Sequence, residues 1–164
     1  MALTVGTDTY ISVADATTYL ATQLGALSWA DASAADREKA LRMACERLER
    51  MHYQGERTAD DQALAWPRTD VPGWDGADLE SAAVPQFVRD AQCWEADYLL
   101  AWAVRGAGRS EAEELQAQGV KSVKMGDLSY AFEAAADPLA RALGPRARAI
   151  LEPYIAWAPK GITL

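Results

Sequence analysis

The sequence predicts a mainly α-helical fold: a small helical bundle around one long central helix, with one β-hairpin and one long irregular loop. Residues 84–106 form the longest apolar-periodic run of the chain, which indicates the central helix. Two shorter periodic runs follow Ser12 and Ser33, and serine is a preferred helix-capping residue. Residues 120–133 place a Gly-Asp pair between two alternating segments, which is typical of a two-residue hairpin turn.

Length and composition favour one domain over residues 1–164. The chain has 164 residues, half of them apolar, which is enough to bury a sizeable core. The formal net charge is −8, so a phosphate backbone is repelled at long range. No stretch approaches the roughly 20 apolar residues that span a bilayer, and the first residues lack a positive leader. We therefore expect a soluble, unexported protein with no membrane partner.

The first half of the chain is expected to hold an arm, two helices and a loop. Residues 1–11 alternate apolar and polar types and indicate an extended N-terminal arm. A helix should begin after Ser12 and run to about residue 24, and another should begin after Ser33 and run to about residue 53, because each serine precedes an aspartate by three positions. Residues 54–83 lose all periodicity and predict a long irregular loop pinned by its tryptophans.

The central helix should carry an apolar surface too wide for one neighbour to cover. One stripe follows helical spacing through Phe87, Ala91, Trp94, Tyr98 and Trp102. A second row widens it with Val88, Ala96, Leu99, Leu100 and Val104. Several elements are therefore expected to enclose this helix.

The hairpin at residues 120–133 has a register that its turn fixes. Pairing across Gly126 and Asp127 puts the large apolar residues on one face, namely Val123, Met125, Leu128, Tyr130 and Phe132. An isolated hairpin is marginal in water, so this face needs a covering surface. That surface could belong to the same subunit or to a neighbouring protein.

The C-terminal segment predicts a helix and a docking tail. The helix should start at Pro145, reach about residue 157 with an interruption at Pro153, and turn four residues inward: Ala149, Ile150, Tyr154 and Ile155. The tail, residues 158–164, carries Ile162 and Leu164 and is unusually apolar for a terminus. We expect it to dock onto a partner.

Motifs for common catalytic and cofactor sites are missing from the sequence. It contains no phosphate-binding loop, dinucleotide-binding turn, zinc helix or nucleophile elbow. His52 is the only histidine and falls at a helix end, where a structural role is the simpler expectation. Cys45 and Cys93 lie in apolar helical stretches and are expected to be buried free thiols. The expectation is a protein that is not an enzyme and that binds no metal and no cofactor.

Five segments resemble a family of tailed-phage and prophage proteins often labelled DnaT-like single-stranded-DNA-binding proteins. The segments keep the order of that family: 10–16 (YISVADA), 39–53, 62–68 (QALAWPR), 84–88 (VPQFV) and 120–130 (VKSVKMGDLSY). This family in turn looks like a branch of the head–tail connector proteins of long-tailed phages. The resemblance implies a structural virion protein, made in the host cytoplasm and located at the neck between head and tail.

The connector interpretation also implies partners. They are a portal protein, neighbouring adaptor copies in a dodecameric ring, a tail-side connector or terminator protein, and packaged DNA that at most passes through the lumen. The predicted interface residues are Val123, Met125, Leu128, Tyr130, Phe132, Trp66, Arg68, Trp157, Ile162 and Leu164. For residues 62–68 the alternative is that Trp66 and Arg68 clip the long loop to its own core.

A second interpretation takes the family label literally and predicts a single-stranded-DNA-binding replication module. Such a module needs a basic groove with aromatic side chains on which bases stack. Lys121, Lys124 and Tyr130 offer a fragment of one, but the hairpin register puts Lys124 and Tyr130 on opposite faces. Together with the net charge of −8, this favours assembly over DNA binding.

Overall fold

The computed structural model describes residues 3–73, 76–80, 82–105, 122–125, 128–131 and 143–156. It confirms a mainly helical fold with one small hairpin. In chain order the elements are α1 (Val13–Ala21), α2 (Leu27–Asp31), α3 (Ala34–Glu49), β1 (Glu56–Arg57), β2 (Arg68–Thr69), α4 (Gln86–Arg105), β3 (Ser122–Met125), β4 (Leu128–Ala131), α5 (Pro145–Leu151) and a 3₁₀ turn (Glu152–Tyr154).

Both predicted serine caps are present. Ser12 Oγ accepts a hydrogen bond from the Asp15 N–H at 3.1 Å, and Ser33 Oγ accepts one from the Asp36 N–H at 3.2 Å. Each cap satisfies a backbone donor that the first helical turn leaves without a partner. The helices end a few residues earlier than predicted, at Ala21 and Glu49.

α4 is the central helix, as predicted. It packs against α1, α2, α3 and α5. Its buried apolar residues join the core that those helices contribute, and they are Val88, Ala91, Cys93, Trp94, Ala96 and Leu100. Burial of these side chains supplies the main stabilising free energy of the bundle.

The long apolar stripe of α4 is buried only along part of its length. Ala91 is fully buried and Trp94 is nearly so, whereas Tyr98 is 37 % exposed and Trp102 is 50 % exposed. The prediction of an enclosed stripe is therefore wrong for its last two members. Spacing places residues on one face of a helix, but it does not say how far the packing partners extend along that face.

The loop between α3 and α4 is mostly irregular, as predicted, but it contains the short antiparallel pair β1–β2, which was not predicted. Aromatic contacts pin the loop. Trp66 is buried with its ring edge-on to both Tyr53 and Phe87, at centroid distances of 5.3 Å and 5.4 Å. Phe87 stacks on Tyr154 at 4.0 Å. Trp66 thus ties the loop to the start of α4, and Phe87 connects that point to the 3₁₀ turn. Trp74 lies outside the described residues.

The hairpin has the predicted register in its described part. The partners are Ser122 and Ala131, Val123 and Tyr130, Lys124 and Ser129, and Met125 and Leu128. The turn residues Gly126 and Asp127 and the face residue Phe132 lie outside the described residues.

α5 begins at Pro145 as predicted, and three of the four residues predicted to face inward are buried or partly buried against the core, namely Ile150, Tyr154 and Ile155. Ala147, Leu151 and Ile155 are buried, whereas Ala149 is exposed. The prediction for Ala149 is therefore wrong. Ala147 and Leu151 are one turn apart and form the narrow apolar stripe that packs against α4, which leaves Ala149 exposed. The interruption at Pro153 is present as the 3₁₀ turn.

Candidate nucleic-acid interface

Two polar side chains of α4 are fully buried and organise the elements around it. Gln92 Nε2 donates to Thr9 Oγ1 at 2.7 Å and to the Leu41 carbonyl at 2.9 Å, and its Oε1 accepts from the Tyr10 N–H at 2.9 Å. Gln92 therefore joins the N-terminal arm to α3 and α4. Residues 9–11 of the predicted extended arm are buried.

Glu95 lies one turn further along α4 and has no exposed surface. Its Oε1 accepts a hydrogen bond from Arg47 Nη1 of α3 at 2.6 Å, and its Oε2 accepts from the Gly144 N–H at 2.6 Å. Burial raises the pKa of Glu95, while the Gly144 hydrogen bond and the Arg47 charge act in the opposite direction. This carboxylate fixes the segment before α5 against α4, and so sets the width of the seam between the two helices.

Gly144 allows a close approach at that seam. A Cβ atom at this position would lie 2.7 Å from Tyr98 Cγ, well inside van der Waals contact. The Tyr98 ring therefore packs directly on the backbone that precedes α5. This contact leaves the ring partly exposed, with concave surface on both sides of it.

A groove runs along the seam between α4 and α5, and its walls are aromatic and cationic side chains. Its first concavity has a volume of about 230 Å³, and the second, across Tyr98 and Pro145, has about 310 Å³. The first is lined by Gly25, Trp94, Asp97, Tyr98, Ala101, Trp102, Pro145 and Arg146. The second is lined by Tyr98, Leu143, Pro145, Arg148, Ala149 and Glu152. We call the two together the α4–α5 groove.

Arg146 is held in the first concavity by two contacts. Its guanidinium carbon lies 4.0 Å from the centroid of the Trp94 ring, and its Nη1 donates to the Leu24 carbonyl at 3.0 Å. Gly25 has a φ of +88°, and a Cβ there would lie 3.2 Å from Arg146 Nη2. A cation over an aromatic face is attracted by the ring quadrupole, so this guanidinium is positioned before any ligand arrives.

Carboxylates also belong to the groove. Asp97 is largely buried and its Oδ1 accepts from the Trp29 N–H at 2.7 Å. Burial raises the pKa of Asp97, partly offset by that hydrogen bond and by the charge of Arg146. Glu152 lies 3.8 Å from Arg148 Nη2 in the second concavity. The groove therefore combines aromatic surface with a nearly balanced set of charges.

The groove was not predicted from the sequence, although the aromatic residues in its lining follow helical spacing. Trp94, Tyr98 and Trp102 were recognised as one stripe but assigned to the core, and Arg146 was not singled out. An aromatic ring and an arginine that are about fifty positions apart give no local pattern. The aromatic i, i+4 spacing at the end of the helix was the detectable part.

Two of the predicted interface residues, Trp66 and Arg68, make their contacts within the chain itself. The guanidinium of Arg68 donates to the carbonyls of Gln54 at 2.7 Å, Gly55 at 2.5 Å and Ala65 at 3.2 Å. Burial lowers the pKa of Arg68. This geometry matches the alternative in which the two residues clip the loop to its own core, and an interface role for them stays a prediction.

The other predicted interface residues belong to the hairpin or lie outside the described residues. Val123, Met125, Leu128 and Tyr130 lie on the paired strands β3 and β4 in the predicted register. Phe132, Trp157, Ile162 and Leu164 lie outside the described residues, together with the tail 158–164.

Cys45 and Cys93 are buried free thiols, as predicted, and burial raises the pKa of each to about 12. Within the described ranges, no cluster of three His, Cys, Asp or Glu side chains has a metal-binding arrangement. None of the described helices is long and apolar enough to cross a membrane.

Comparison with protein families gives one match, and it covers almost the whole chain. The model of the family described as "Putative DnaT-like ssDNA binding protein" matches residues 2–163. The chain belongs to this family. Comparisons with curated proteins and with solved structures found no match.

The family match overturns the connector interpretation. Nothing in the match supports a head–tail connector, and the family's description indicates DNA binding, so the predicted identity and function were wrong. The error has a physical origin. A net charge of −8 describes the whole chain, whereas binding depends on the local arrangement of rings and cations, which composition does not report. The portal, ring and tail-side partners and the virion location stay predictions.

Proposed function

We propose that this protein binds single-stranded DNA through the α4–α5 groove. The observation that carries the proposal is the set of partly exposed rings, Tyr98 and Trp102, beside a guanidinium that is fixed on Trp94. Non-sequence-specific single-strand binders use the same two components, aromatic rings for the bases and cations for the backbone. Membership of the DnaT-like family supports the proposal independently of the geometry.

The charge of the chain limits the expected affinity. A protein with eight excess negative charges gains little from long-range attraction to phosphates, so its contacts must act at short range. We expect a dissociation constant within about 10⁻⁶ to 10⁻⁴ M at physiological salt. Binding requires no metal and no catalytic step in this proposal.

Titration of a labelled oligothymidylate, followed by fluorescence anisotropy, tests the proposal. The expected result is saturable binding of the single strand that is weakened when the strand is annealed to its complement, because duplex bases are not free to stack on protein rings. Arg146→Gln should lower the magnitude of the salt slope by about 0.7, the value for one single-strand phosphate contact. Arg57→Gln on exposed β1 is the matched control and should leave the slope unchanged. Absence of an anisotropy change at about 10⁻⁴ M protein would refute the proposed function.

A further inference from the structure

Asp97 places a carboxylate in the first concavity of the α4–α5 groove, in the same lining as the guanidinium of Arg146. The residue is 8 % exposed, and this small exposed fraction belongs to a surface that we propose to contact DNA. A carboxylate repels phosphates, so Asp97 contributes nothing favourable to binding of the DNA backbone. It can contribute to binding of a strand only through the bases.

The Asp97 carboxylate has more acceptor capacity than its bond within the chain uses. Its Oδ1 accepts from the Trp29 N–H at 2.7 Å, whereas an ionised carboxylate offers about four acceptor sites and no donor. Burial raises the pKa of Asp97, and the Trp29 N–H, the charge of Arg146 and the Ser28 backbone oppose that rise by favouring the ionised form. The first concavity therefore offers a hydrogen-bond acceptor to a base that enters it.

We infer that Asp97 selects a base with an exocyclic amino group, so that the α4–α5 groove binds cytosine more tightly than thymine. This inference rests on the proposed function and specifies its ligand. Cytosine carries the N4 amino group, which donates hydrogen bonds and is a known partner of aspartate and glutamate in protein–DNA complexes. Thymine has the O4 carbonyl oxygen at the equivalent position, and this second acceptor would face the carboxylate without a proton between them.

Asp97 also has a structural role, which the test must separate from base selection. Its bond to the Trp29 N–H satisfies a backbone donor in the first turn of α2, and this alone could account for an aspartate at position 97. Asp97→Asn separates the two roles. The amide side chain keeps an oxygen that can accept from Trp29, and it replaces the other oxygen with an N–H donor. The variant should therefore retain the bond to α2 and lose the preference for an amino-bearing base.

The experiment compares three labelled strands of equal length and charge by fluorescence anisotropy at neutral pH: oligodeoxycytidylate, oligothymidylate and oligodeoxyuridylate. The cytosine strand should bind the parent protein about 5-fold or more tightly than the other two. The uracil strand lacks the thymine methyl group, so it should bind like the thymine strand if the amino group decides the preference. Equal affinity for the cytosine and uracil strands overturns the inference while leaving single-strand binding intact. If no strand binds, the proposed function itself fails, and the inference with it.

Variants assign the preference to a residue. Asp97→Asn should bind the cytosine and uracil strands with nearly equal affinity. Asp31→Asn is the matched control, because it makes the same change of charge at an exposed position of α2 outside the groove lining, and it should keep the preference of the parent protein. Thermal unfolding checks that both variants are folded, and the comparison of strands in the parent protein tests the preference without any variant. A folded Asp97→Asn protein that still prefers the cytosine strand overturns the assignment to Asp97.

Discussion

Glu95 and Gly144 are joined by a hydrogen bond of 2.6 Å that connects the middle of α4 to the backbone preceding α5. The same carboxylate accepts from Arg47 of α3. Three segments of the bundle therefore meet at one buried charge. The Tyr98 ring packs on the same glycine, so this network also positions one wall of the α4–α5 groove.

Gly144→Ala should destabilise the protein by about 1–3 kcal/mol, because the added methyl group would overlap the Tyr98 ring. Urea denaturation of the variant measures the change in the free energy of unfolding. In a Tyr98→Ala background the same substitution should cost much less, since the overlapping ring is gone. Equal costs in the two backgrounds would contradict the assigned contact.

Glu95→Gln should change how stability depends on pH. The pKa of Glu95 is raised in the folded state above its ordinary value of 4.5, so the folded protein holds this proton more tightly than the unfolded chain. The contribution of Glu95 to the free energy of unfolding is therefore fully present below about pH 4.5 and is lost as the pH rises through the folded pKa. Chemical denaturation from pH 4 to 8 should show this loss in the parent protein and not in the variant. Parallel curves for the two proteins would show that Glu95 has no such linkage.

Arg68→Lys should destabilise the protein by roughly 2–3 kcal/mol, because a lysine lacks the planar set of donors that serves several loop carbonyls at once. Thermal or urea unfolding gives the magnitude. Arg57→Lys on exposed β1 is the control and should change stability by less than about 0.5 kcal/mol. A stable Arg68→Lys protein would mean that the loop is held mainly by Trp66.

Gln92→Leu should cost about 2–3 kcal/mol, since it leaves the Tyr10 N–H and the Leu41 carbonyl buried without this partner. Hydrogen exchange should report faster exchange of the Tyr10 amide in particular. Gln86→Leu, on the exposed first turn of the same helix, is the control. Unchanged protection at Tyr10 would argue that the arm is held by other contacts.

Local chemistry explains which elements were predictable. The serine caps of α1 and α3, the central helix and the hairpin register each depend on residues within one turn or one pair of strands, and all were predicted. α2 was not predicted, because five residues are too few to show a period. Its Trp29 amide is bonded to Asp97, which is distant in sequence.

The candidate site was much less predictable. Each of its contacts joins residues from different elements, such as Arg146 with Trp94 or Glu95 with Arg47. The identity of these residues is visible in the sequence, but their proximity is not. The net charge could not reveal the groove either, because it averages over surfaces that the fold separates.

The sequence by itself determined the helical class, the capped helix starts and the position of the central helix, because periodicity and capping act over a few neighbouring residues. Only the tertiary structure decided that the stripe of α4 leaves the core at Tyr98 and Trp102 and that Arg146 covers Trp94. The physical reason is that burial depends on which elements pack against a face and how far they reach. That information resides in contacts between segments distant in the chain.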